Sequence, residues 1–162
     1  AFQGIGDAPT LHDLKRGAHR CASEDSPLEV WGTDADAVPM ALRPKGEGRR
    51  VTMATASYRF YARAIAERLG FDDCIGTNSI LGLDERVHAK IDGENCYGPA
   101  KLRMVSSWLD KSGLDRGHVR FYSDHASDAP VFEWADEAVA VNPHARLARL
   151  ATARGWTVED WS

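Results

Sequence analysis

The chain has 162 residues, 43% of them hydrophobic and 27% charged, with a net charge of -4. That length and composition suit one folded domain and exclude a disordered or fibrous chain. No run approaches the roughly 20 apolar residues of a membrane-spanning helix, and the acidic balance argues against a broad nucleic-acid footprint. Small molecules are therefore the expected partners, with no membrane and no nucleic acid among them. The first residues carry no signal-peptide pattern. Cys21, Cys74 and Cys96 lie far apart without a CxxC pair, which predicts reduced thiols in a cytoplasmic protein.

Residues 1–48 are rich in Gly, Asp, Pro and Arg, and only "LHDLKRGAHRC" (11–21) and "LEVWGTD" (28–34) suggest a helix and a strand. The expected organisation is this atypical segment, able to supply one strand, followed by a regular core over 49–162. "RRVTMATA" reads as a buried strand. The next run, "SYRFYARAIAERLG", places Tyr58, Tyr61, Ile65 and Leu69 on one helical stripe and stops at Gly70. "CIGTN" (74–78) is a second short strand, and 79–98 alternates like a hairpin. A helix begins at Pro99 and runs to about Asp110, with Leu102, Val105 and Leu109 on its apolar side. "HVRFYSD" and "EAVAVN" are strands flanking a short helix in "SDAPVFEWA", capped by Ser127 or Asp128. The last helix takes Asn142 as cap and Pro143 at its first position, with Leu147, Leu150 and Ala151 inward. Strands alternating with helices at this spacing predict a three-layer α/β/α, Rossmann-like parallel sheet.

In such a sheet, ligands bind beyond the carboxyl ends of the strands. Thr55 ends the first core strand, and Ser57 follows where a helix is expected to open, so hydroxyls and free amides could cradle a phosphate. Lys101 sits in the first turn of the next helix. Asp124 ends the strand "VRFYS", and Asp128 stands four residues later, a pair able to share one hard cation such as Mg²⁺ through oxygen ligands. Taken singly, Thr55 reads as a strand residue or cap, Lys101 as a solvated lysine and Asp128 as a helix cap. Their order at successive strand ends carries the weight.

These stretches resemble the haloacid dehalogenase superfamily of phosphohydrolases, in the branch that includes phosphoserine phosphatase. "VTMATASYRFYARAIAERLGF" resembles its second motif and puts the phosphate-holding hydroxyl on Thr55. "NCYGPAKLRMVSSWL" resembles the third and puts its lysine at Lys101. "FYSDHASDAPVFEWADEAVAVNP" resembles the fourth, with acids at Asp124 and Asp128, and Ser123 stands where many members have glycine. The resemblance implies a Mg²⁺-dependent phosphomonoester hydrolase acting on small phosphorylated metabolites through an aspartyl-phosphate. It makes Thr55 and Lys101 catalytic, Thr55, Ser57 and Lys101 phosphate-binding, and Asp124 and Asp128 metal-binding.

The family's first motif, DxDx[TV], supplies the nucleophile at the end of the central strand. Here the candidate is "LEVWGTDADAV", with Asp34 as nucleophile and Asp36 as general acid and base. The interval from Asp34 to Thr55 must then hold a loop, a returning helix and the whole second strand, which leaves no room for the branch's helical cap. Three readings stay open: a truncated relative whose first 48 residues replace strand and cap, a minimal capless enzyme using Asp34, or a subunit borrowing a strand in a homodimer. Residues 28–33, or a swapped segment from a second copy, are expected to fill the gap. A HAD-like protein without catalysis, binding Mg²⁺ and phosphate or serving as an assembly module, is the alternative function.

Overall fold

The computed structural model describes residues 37–83 and 86–161. The expected helix at 11–21, the expected strand at 28–34, and Asp34 and Asp36 lie outside these residues.

Helix α1 (Ala37–Gly46) leads into β1 (Thr52–Tyr58), α2 (Arg59–Leu69) and β2 (Asp73–Leu81), then β3 (Val87–Asp92) and α3 (Pro99–Ser112). The second part runs β4 (Arg120–Ser123), a 3₁₀ turn (Ala126–Asp128), α4 (Ala129–Trp134), β5 (Glu137–Val141), α5 (Ala145–Arg154) and β6 (Thr157–Glu159). Among the described residues, no helix is long and apolar enough to cross a membrane.

Helix ends follow local chemistry. At the end of α2, Gly70 turns left-handed at φ 88°, letting its amide reach Glu67 and the Phe71 amide reach Ala66. That doubly bonded stop is the one glycine allows without a Cβ penalty. Pro99 opens α3, where its missing N–H costs nothing. One expected cap differs. Asn142 is not the cap of α5, which starts at Ala145 after His144. It sits at φ 43° with its side-chain oxygen accepting the Trp161 amide, so it fastens the chain end beyond β6 instead. Strand β6 and helix α1 were not foreseen.

The strands form two three-stranded sheets, ordered β1-β2-β3 and β4-β5-β6. β1 and β2 are parallel, β3 returns antiparallel as the far arm of the expected hairpin, and β4, β5 and β6 are all parallel. Each sheet has its own core. Phe132, Ala140, Leu147 and Ala151 pack together under Phe121 and Trp156. Ala62, Ala66 and Cys74 pack under Met53, Tyr61 and Phe71. α2 therefore fully buries alanines, while Tyr61, Ile65 and Leu69 of the expected stripe are half-buried and Tyr58, the last residue of β1, remains 37% exposed.

A cavity of about 990 Å³ lies between the sheets, bordered by Met53 and Ala54 of β1 on one side and Phe121 and Tyr122 of β4 on the other. Among the described residues no strand pairs with the facing edges of β1 and β4. Unpaired backbone groups at such edges are costly to bury.

Candidate active site

The carboxyl end of β1 is irregular. Thr55 pairs with Gly76, but the next pair is Tyr58 with Thr77, so Ala56 and Ser57 bulge out without counterparts on β2. The bulge lets the Ser57 amide donate to Thr55 Oγ1 at 3.1 Å. Gly76 makes it possible: a Cβ there would meet Ser57 O and Arg59 Cα at 3.0 Å. Ser57 thus belongs to a bulge, and α2 opens only at Arg59. The expected hydroxyl-plus-helix cradle is instead a strand bulge with the hydroxyls of Thr55 and Ser57 beside it, since the helix starts two residues later.

Opposite, at the carboxyl end of β4, lies an ion pair. Lys101 Nζ is 2.6 Å from Asp128 Oδ2, with only 8% and 3% of the two residues exposed. Ser123 Oγ donates to the same carboxylate oxygen at 2.8 Å. Lys101 is therefore not a solvated lysine, and Asp128 makes no side-chain cap for α4; His125 Nδ1 accepts the Ser127 amide and caps the 3₁₀ turn instead. The buried charges explain this, since an ammonium in a dry setting needs an opposite charge within hydrogen-bond reach. Asp128 Oδ1 is buried and has no hydrogen-bond partner among the described residues. Asp124 is exposed and borders the central cavity.

Cys96 connects the two ends. It is fully buried. Burial pushes its thiol pKa up, while the Lys101 charge and a hydrogen bond from the Thr55 backbone pull the other way. Its β2 support is Thr77, 2% exposed, whose hydroxyl donates to Ala56 O at 2.8 Å and accepts the Cys96 amide at 3.0 Å. Ser123, Thr77 and Cys96 were not picked out from the sequence. Ser123 could have been, since its hydroxyl stands one residue before an acidic pair.

The structure thus brings Lys101 and Asp128 into contact and sets Thr55 and Ser57 side by side. An orphaned carboxylate oxygen on Asp128 is a donor suited to a hard cation, and Asp124 is the second oxygen-bearing acid at this strand end. These residues fit Mg²⁺, as a partial set: among the described residues, no group of three or more His, Cys, Asp or Glu converges as a metal site.

Comparison with known proteins agrees with the sequence resemblance. Residues 7–133 match the haloacid dehalogenase-like hydrolase family. Phosphoserine phosphatase SerB1 of Mycobacterium tuberculosis is 32% identical over 133 residues, covering 82% of this chain and 42% of that protein. A histidinol-phosphatase of Neisseria meningitidis is 29% identical over 114 residues, covering 68% of this chain and 51% of that protein. A Bordetella pertussis protein of unknown function superposes with a TM-score of 0.82 at 26% identity, over 96% of this chain and 69% of that one. The chain belongs to the haloacid dehalogenase-like hydrolase family, and its fold is the α/β fold of that family. It spans about half the length of these curated relatives, or less.

Proposed function

We propose that this chain carries the core of a Mg²⁺-dependent phosphomonoester hydrolase acting on small phosphorylated metabolites in the cytoplasm. The observation that supports it most is the buried Lys101–Asp128 pair, whose second carboxylate oxygen lacks a partner at the strand end that also carries Asp124. In this reading Lys101 offsets the charge of the phosphoryl oxygens, and Thr55 Oγ1 with the bulge at Ser57 orients them. Asp128, held by Lys101 and Ser123, and Asp124 are the oxygen donors for Mg²⁺. When bound, the metal supplies positive charge against the phosphoryl group. Asp34, outside the described residues, is the candidate for the carboxylate that attacks phosphorus to form an aspartyl-phosphate, and Asp36 for its acid and base.

The test is phosphate release from a generic aryl phosphate with Mg²⁺, then from phosphoserine and histidinol phosphate, the compounds for which two relatives are named. Asp34→Asn should abolish turnover, and Asp124→Asn should lower it on the order of 10²-fold or more. A parent chain without turnover sinks the reading.

That result would favour a second reading, in which the chain binds Mg²⁺ and phosphate without catalysis. Calorimetry would then record Mg²⁺-dependent phosphate binding that Asp124→Ala weakens. The space between β1 and β4 is assigned, in either reading, to residues 28–33 or to the same segment of a second copy. The mass of the protein in solution separates the two.

A further inference from the structure

We propose that Thr77, which reaches no substrate, is a positioning residue that fixes the distance between the phosphate-orienting bulge and Lys101. The inference rests on the phosphate-binding reading of Thr55 and Lys101 given above.

The bulge at Ala56–Ser57 removes two residues of β1 from the ladder with β2. A carbonyl left without its ladder partner beside a sheet must find another donor. Thr77 provides it, through the 2.8 Å bond from its hydroxyl to Ala56 O. The same oxygen accepts the Cys96 amide at 3.0 Å and lies 3.0 Å from Asn95 Oδ1. One hydroxyl proton cannot serve both Ala56 and Asn95. With the Asn95 amide turned over, its nitrogen donates to Thr77, and the hydroxyl makes the three bonds it is capable of.

One buried atom therefore ties three segments: the bulge of Ala56 and Ser57 next to Thr55, strand β2, and the loop leading to Lys101. That loop is short and directed. Gly98 turns at φ 55°, its carbonyl accepts the Lys101 amide at 3.0 Å, and Pro99 begins α3. A shift of Cys96 is thereby passed to Lys101 within one turn of helix. Gly76 leaves room for the bulge on the other side, because any Cβ there would press on Ser57 O. The pair Gly76–Thr77 acts as a clamp, one residue leaving room for the bulge and the next holding its carbonyl.

The hydroxyl is the active part, so substitutions separate it from plain packing. Thr77→Val keeps the shape and removes all three bonds; Thr77→Ser keeps the bonds and removes a methyl group. The probe is inorganic phosphate, titrated calorimetrically into the full chain with Mg²⁺, beside thermal melts without phosphate. Thr77→Val should weaken phosphate binding about 10-fold, roughly the loss of one net buried hydrogen bond. Thr77→Ser should stay within about 2-fold of the parent. Parent-like affinity in Thr77→Val would overturn the proposal, as would equal losses in both variants, which would assign the effect to packing. Should Thr77→Val fail to fold, Asn95→Ala trims an exposed side chain from the same clamp, and an unchanged affinity there would count against it. A parent chain that does not bind phosphate at all overturns the functional reading itself, and the proposal with it.

Discussion

At the amino ends of β1 and β4, the two facing strands, the chain is tied in the same way. Asp72 accepts the Val51 amide and Lys45 Nζ, each at 2.8 Å. Asp136 accepts the Val119 amide at 2.8 Å and the Arg116 guanidinium at 3.1 Å. In both halves an aspartate just before the neighbouring strand pins the amide of the residue that precedes an edge strand and adds a cation. The interiors differ. The β4–β6 half buries Phe132, Leu147, Val131 and Val139 fully, whereas the β1–β3 half is built on Ala62, Ala66 and Cys74. Large side chains fill one half, and small ones allow α2 to lie close to β2 in the other. The half with the thinner core is the one with the bulge.

The comparison sharpens most where the halves meet. Asp128→Ala leaves the Lys101 ammonium buried without a counter-charge and should cost about 3–5 kcal/mol in urea unfolding. Replacing both members, Lys101→Met with Asp128→Leu, should recover most of that loss, and failure to recover would mean that the pair holds the halves together by more than charge. Next comes the contrast between the cores. Phe132→Ala should cost about 3–5 kcal/mol, while Cys74→Ala, which removes a single sulfur, should cost on the order of 1 kcal/mol. Equal costs would erase the distinction between a thick and a thin half.

The smallest effect concerns what the halves share. Hydrogen bonds from Lys45 and the Val51 amide hold the Asp72 pKa below its ordinary value. The Val119 amide and Arg116 do the same for Asp136. Folded-state values below the unfolded ones give stability that is fully present above about pH 4 and is lost as pH falls through the lowered values. Unfolding midpoints of Asp72→Asn and Asp136→Asn should therefore be slightly lower than the parent's at pH 7 and converge with it as pH falls through the lowered values. A gap that persists in acid would show that the charge is not the cause.

Much of this fold was legible locally. Gly70, Pro99 and the alternation after Asn78 act within a few residues, and α2, α3 and the hairpin appear where those signals stand. The Rossmann-like α/β class was legible from the same rhythm. Asp128 was not legible as a partner of Lys101, because helix capping is a local pattern, whereas the ion pair joins residues 27 positions apart. Nor was the bulge at Ala56–Ser57 legible. It depends on the space over Gly76 and a donor from Thr77, and neither leaves a periodic mark on β1. Asn142 misled for a related reason: its sequence context is that of a cap, but its oxygen is taken by Trp161.

Three of the five tryptophans, Trp108, Trp134 and Trp161, border the space between β1 and β4. Trp156 stacks on Phe132 at 4.8 Å, away from that space. Indole emission moves with the polarity around the ring, so the protein carries an optical probe where its two halves face each other. Whatever excludes water from that space turns the fluorescence toward shorter wavelength, and its arrival can be timed without a label.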